Sequence, residues 1–112
     1  MINKIKSRKD FIKIQKIGPR VISAGVVLQY LNNSNQENHS RFGFTASKKV
    51  GGAVQRNKAK RRMRSLVFDV IKKFETKGWD YVLIARKETA HRKYQKLKND
   101  LIWSMKNLKP KI

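Results

Sequence analysis

The sequence predicts an α+β fold: one domain over residues 1–112, a two-layer sandwich with its elements in the order αβββαβα. Three observations predict it. Apolar residues alternate by two in some stretches and recur at three and four in others, so strands and helices both occur. Glycine and proline punctuate these stretches at Gly18-Pro19, Gly51-Gly52 and Gly78. The 112 residues, 39% of them hydrophobic, suffice for one modest core.

Ser7 can cap a first helix, and Asp10 then sits near its positive end. Phe11, Ile14 and Ile17 give this helix an apolar side, and Gly18-Pro19 stops it. Phe11 reads either as core or as an exposed aromatic. Val21–Leu31 reads as strand, interrupted near Ala24-Gly25. Val26, Leu28 and Tyr30 fall on one face, and Val27, Gln29 and Leu31 on the other. Residues 32–40 are a polar loop, in which His39 reads as solvated rather than as a ligand. Arg41–Ser47 is a strand with Phe42, Phe44 and Ala46 on one face and Arg41, Gly43, Thr45 and Ser47 on the other. The two phenylalanines read as core; the opposite face is small and polar.

Ala59, Met63, Leu66, Val67, Val70, Ile71 and Phe74 then mark a long helix, expected from Ala53 to Thr76 and closed by Gly78. Asp80–Arg86 alternates as a strand. Thr89–His91 is a loop or a helix start. A last helix, Arg92–Leu108, carries the stripe Tyr94, Leu97, Leu101, Met105 and Leu108. Trp103 lies off that stripe, and both edge packing and an exposed contact remain open for it.

Charge bounds the function. The chain has 28 Lys+Arg against 7 Asp+Glu, a net +21. A small basic domain implies a nucleic-acid partner first. An anionic membrane is the weaker option, because no long apolar run exists to insert. The basic N-terminus lacks the apolar region of a signal peptide. There is no cysteine, so disulfide, thiolate and Cys-zinc chemistry are excluded, and a reducing cytoplasm is compatible.

The charge is concentrated in Ser47–Arg64, which has eight basic residues and no acid; no carboxylate occurs between Glu37 and Asp69. On a helix, Arg56, Lys60 and Arg64 are spaced i, i+4, i+8, with Asn57 and Arg61 beside them. Lys58 and Arg62 fall on the other flank. Arginine offers a planar fork of donors that matches phosphate oxygens. Asparagine can reach a base edge or a sugar hydroxyl. A helix made only for solubility would mix signs. The seven acids form no D-x-D or E-x-x-H cluster, and His39 and His91 lie far apart, so no catalytic residue and no metal ligand is assigned.

At these residues the chain resembles a known family. R-F-G-F-T-A-S-K-K-V-G-G-A-V-Q-R-N-K-A-K-R-R-M-R, residues 41–64, is similar to the signature of the protein subunit of bacterial ribonuclease P. That pattern is a strand ending in S-K-K-V-G-N-A-V, then R-N-x-x-K-R-x-x-R on a helix. Arg56, Asn57, Lys60, Arg61 and Arg64 match it one by one; Gly52 departs, where the family usually has Asn. Asp10-Phe11 and the run from Trp79 to Lys87 extend the resemblance over nearly the whole chain.

The resemblance implies a four-stranded mixed sheet with a left-handed crossover through the basic helix. It implies a cytoplasmic helper of a catalytic RNA, which removes the 5′ leader of precursor tRNA with magnesium bound through the RNA. The protein alone would be inactive, would bind no cofactor itself, and would need neither a membrane nor oligomerisation. Lys48, Lys49, Arg56, Asn57, Lys60, Arg61 and Arg64 would bind the catalytic RNA. A cleft with Phe11, Gln15, Thr45 and Ser47 would hold the leader strand; Gln15 stands where the family often has a second aromatic. The competing reading is a structural RNA-binding protein of ribosomal type, which fits charge and size but not the ordered motif. A DNA-binding protein is disfavoured because the basic helix follows a strand and forms no helix-turn-helix.

Overall fold

A computed structural model describes residues 3–32, 39–74 and 78–108. Helix α1 spans Arg8–Ile17; the Ser7 hydroxyl accepts from the Asp10 N–H at 3.3 Å, satisfying one of the free donors of the first turn. At the other end the Gly18 N–H donates to the Ile14 carbonyl at 2.8 Å. The expected break near Gly25 makes a hairpin of β1 (Arg20–Ile22) and β2 (Val26–Asn32), with Val21 opposite Leu28. The Ser23 hydroxyl donates across the turn to the Val26 carbonyl at 2.7 Å. Strand β3 (Arg41–Thr45), helix α2 (Ala53–Asp69), strand β4 (Trp79–Ala85) and helix α3 (Tyr94–Lys106) complete the order.

The sheet order is β1-β2-β4-β3. Strand β4 is antiparallel to β2 and parallel to β3, so α2 is the crossover between two neighbouring parallel strands. The outer edge of β3 is lined by the N-terminal segment. Phe42 N–H donates to the Asn3 carbonyl at 2.8 Å, and Ile5 N–H donates to the Phe42 carbonyl at 3.0 Å.

Strand alternation gives the sheet two different faces. Val26, Leu28, Tyr30, Phe42, Tyr81 and Leu83 point one way and are buried under Met63, Leu66 and Val67 of α2 and Leu97, Leu101 and Met105 of α3. The Phe42 and Tyr81 rings stack there at 5.6 Å. Where α2 meets α3, the Tyr94 hydroxyl donates to Asp69 at 2.6 Å. Burial first, and then the Asp69 carboxylate, hold the Tyr94 pKa above the ordinary tyrosine value.

The opposite face carries α1. Gln29, Val82 and Gly43 are register partners across three strands and lie beneath it, with Ile14 fully buried. Polar groups grip α1 at both ends. Arg41 donates to buried Asp80 through Nε at 2.9 Å and Nη2 at 2.7 Å, and through Nη1 to Asp10 of α1 at 3.4 Å. A carboxylate as buried as Asp80 requires such a partner. At the far end Gln29 Nε2 donates to the Gln15 and Gly18 carbonyls at 3.1 and 2.8 Å.

Several boundaries differ from expectation. Helix α2 stops at Asp69 rather than Thr76: Val70 leaves helical geometry at φ −124°, and Ile71–Phe74 continues as a 3-10 turn. Val70 and Ile71 are adjacent β-branched residues, which lose rotamer freedom in a helix. The tighter turn still buries Ile71. Gly78, at φ 76°, therefore does not cap α2; it stands at the entry to β4 in a conformation side chains disfavour. The last helix starts at Tyr94 and ends at Lys106, and the third strand ends at Thr45. Ile17 does not join the apolar side of α1, being 61% exposed. Of the loop over 32–40, residues 33–38 lie outside the described residues, as does Thr76.

Candidate nucleic-acid interface

Four fully buried residues, Ala59, Met63, Leu66 and Val67, fix the rotation of α2 about its axis. With that side against the sheet, Asn57, Arg61 and Arg64 are exposed, and Arg56 and Lys60 are half-buried at the flank. The N-terminus of α2 follows Gly52, which makes no side-chain cap, and its first turn holds no acid. Free N–H groups and the positive end of the helix dipole therefore add to the basic flank. Lys48 and Lys49 extend it, exposed on a 3-10 turn over Lys48–Val50. The described ion pairs, Arg41 with Asp10 and Asp80 and Arg92 with Asp100, lie off this flank.

The flank does not end at the edge of the sheet. A cavity of about 290 Å³ opens beside β3, lined by Lys60 and Arg64 from α2, Lys4 and Ile5 from the N-terminal segment, Phe42, Gly43 and Phe44 from β3, and Phe11 from α1. Cations thus rim an apolar and aromatic floor. Phe11 also walls a neighbouring cavity of about 280 Å³ with Ile5, Lys6, Ser7 and Arg8. The Phe11 ring lies directly over Gly43; a Cβ at Gly43 would come within 2.6 Å of its Cε2 atom. Only glycine leaves room for this approach.

The structure brings some expected site residues together and keeps others apart. Phe11, half-buried, shares a cavity with Lys60 and Arg64. Gln15 lies on α1 one turn beyond Phe11, with its side chain exposed. Thr45 is half-buried at the end of β3, in register with Ile84, on the same face as Gly43. Ser47 caps the 3-10 turn, accepting from the Lys49 N–H at 3.3 Å. Gln15, Thr45 and Ser47 do not line the Phe11 cavity. Lys4, Lys6 and Arg8 were missed by sequence reasoning. Their alternate spacing was legible, but nothing local said that this segment pairs with β3.

Arg62 is separate from the flank. Its Nη1 donates to the Thr89 carbonyl at 2.8 Å, its Nη2 donates to the Arg92 carbonyl, and its guanidinium lies 5.8 Å from the Tyr94 ring centroid. It ties α2 to the segment before α3. Among the described residues no group of three or more His, Asp or Glu gathers that could hold a metal ion, and no helix is long and apolar enough to cross a membrane.

A mixed four-stranded sheet with a guanidinium-rich crossover helix beside its edge defines a class: a small, basic α+β nucleic-acid-binding protein. Comparison with known proteins narrows it. Residues 2–109 match the family model described as Ribonuclease P. The ribonuclease P protein component of Paramagnetospirillum magneticum is 38% identical over 110 residues, covering 96% of this chain and 83% of that relative. That of Streptococcus agalactiae is 37% identical over 103 residues, covering 92% and 91%. Among solved structures, the RNase P protein of Thermotoga maritima superposes with a TM-score of 0.78 at 27% identity, covering 96% of this chain and 99% of that one. The Staphylococcus aureus protein gives 0.75 at 30% identity, covering 96% and 97%. The chain belongs to the bacterial ribonuclease P protein family: it is a protein component of the ribonuclease P endoribonuclease, a ribonucleoprotein of tRNA processing, and its partner is RNA.

Proposed function

We propose that this chain assists a catalytic RNA in removing the 5′ leader from precursor tRNA in the cytoplasm, and that it contributes binding rather than the hydrolytic step. Arg56, Asn57, Lys60, Arg61 and Arg64, with Lys48 and Lys49, contact the catalytic RNA. The leader passes beside α1, along Phe11, Gln15, Thr45 and Ser47. Magnesium acts on the RNA, and no residue of this chain ligates it.

The observation that carries this reading is the cavity in which Lys60 and Arg64 of the motif meet Phe11 of α1. It joins the basic flank to Phe11 of α1 around the edge of β3, which supports a path for the leader beside that helix. A strand lying there would have phosphates near cations and bases near an aromatic face, an arrangement tolerant of sequence. Positive charge between two polyanions also offsets their repulsion and releases counterions.

The test is cleavage of a precursor tRNA at low magnesium by the cognate catalytic RNA, with and without this protein, and by the protein alone. Restored 5′ cleavage with the protein, and none by the protein alone, is the expected result. RNA binding without rescue would favour a structural RNA-binding role. Cleavage by the protein alone would move the chemistry onto this chain.

A further inference from the structure

At the sheet edge opposite β3, strand β1 and the end of α3 form an open groove of about 530 Å³. Pro19, Arg20, Ile22, Tyr30, Trp103 and Asn107 line it. Trp103 is 53% exposed there and Ile22 60%. The other tryptophan of the chain is used in packing: Trp79 stacks with Tyr30 and Tyr81 at 5.9 and 6.2 Å. Trp103 has no comparable ring partner among the described residues, yet its place is defined. Asn107 Nδ2 donates to the Trp103 carbonyl at 2.7 Å and so closes the last turn of α3.

The electrostatics of the groove favour an anion. Arg20 is exposed on its wall, and Lys106 is exposed three residues from Trp103, on the same side of α3. No carboxylate lines the groove. The acid one turn back on α3, Asp100, is held by Arg92 Nε at 2.7 Å. Arg20, in register with Gln29, lies on the α1 side of the edge strand and Trp103 on the α3 side, so the two line the groove from either side of β1. An aromatic face and a cation along one rim suit an unpaired nucleotide, which has a π-face and a phosphate to offer. On a chain of net charge +21 whose partner is RNA, the complementary occupant is RNA.

We propose that this groove is a second RNA contact, in which an unpaired base of a single-stranded segment stacks on Trp103 while its phosphate meets Arg20. It rests on RNA being the partner, but on none of the residues assigned to the α2 flank or the Phe11 cavity. The two sites lie at opposite edges of one sheet, three interstrand spacings or roughly 14 Å apart across the strands. A single strand crossing the sheet, or two strands gripped from either side, could use both.

The test titrates the protein with a ten-nucleotide oligoadenylate and reads Trp103 emission as the difference between wild type and Trp103→Phe protein. This difference reports the groove alone, because RNA bound only on the α2 side does not touch this indole. The expected result is quenching of the difference signal. It should persist in Arg61→Ala protein. In Arg20→Ala protein its midpoint should move to higher oligonucleotide concentration, with the salt slope lowered by about one counterion. An unquenched signal, or a midpoint indifferent to Arg20→Ala, overturns the proposal. So does self-association in sedimentation that Trp103→Ala abolishes, which would give the groove to a second copy of this chain. If the signal is unquenched while Arg61→Ala still weakens binding to the catalytic RNA, this inference fails and the proposed function stands. If Arg61→Ala has no effect either, the assignment of the flank falls with it.

Discussion

Arg61 and Arg62 are neighbours in the sequence with opposite fates. Arg61 is exposed on the flank, whereas Arg62 is half-buried and bonded to two backbone carbonyls. Arg61→Ala should leave the melting temperature unchanged, weaken binding to the catalytic RNA, and flatten log K against log salt by about one counterion. An unchanged slope would remove Arg61 from the interface. Arg62→Ala should do the reverse. It leaves the Thr89 and Arg92 carbonyls short of a donor, a cost on the order of 1–3 kcal/mol, visible as a lower denaturation midpoint with the salt slope kept. Gly43 sets a third residue-scale outcome. Gly43→Ala places a methyl where the Phe11 ring now sits, so it should weaken binding of precursor tRNA more than of mature tRNA. Equal losses on the two would make Phe11 a packing residue only.

At the scale of elements, α1 depends on long-range polar contacts more than on its own propensity. A ten-residue helix with one fully buried side chain is marginal by itself. Gln29 holds its C-terminal end, and the Arg41–Asp80 pair reaches Asp10 near its start. Asp80→Ala removes the two shorter of the described carboxylate bonds of a largely buried guanidinium, and breaking such a pair costs about 3–5 kcal/mol. Urea denaturation should show this as a fall in midpoint. The Ser7→Ala change removes one exposed cap and should cost about 1 kcal/mol. If the two variants lose equal stability, the buried pair is not what anchors α1. Helix α2 is the contrary case, because its buried stripe was legible at helical spacing and its flank followed from it. Its end was not legible: Val70, Ile71 and Phe74 keep the apolar rhythm while the backbone changes to a 3-10 turn. Periodicity records which residues are buried, and both helix types can bury the same ones.

For the whole molecule the decisive quantity is the net charge of +21. Like charges on a small domain oppose compaction, and salt screens them over about 10 Å at 0.1 M. Raising salt from low ionic strength to the physiological range should therefore raise the melting temperature of the free protein while weakening its binding to RNA. Calorimetry and filter binding over one salt series check both signs. A melting temperature that is flat or falls with salt would mean that local ion pairs outweigh the global repulsion.

The sequence by itself determined the class of fold, most of the apolar stripes that build the core, the rotation of the basic helix and the chemistry of its partner. These depend on local spacing and on net charge, which are properties of the chain read in order. The tertiary structure alone decided that β4 inserts between β2 and β3, that residues 3–5 line the edge of β3, and that Phe11 meets Lys60 and Arg64 in one cavity. It also decided that Arg62 braces the fold and that Trp103 faces a groove beside Arg20. Alternation within a strand tells which face a residue takes, but not which strand lies beside it. Pairings between distant segments are chosen by the packing of the whole, and the cavities exist only where those segments meet.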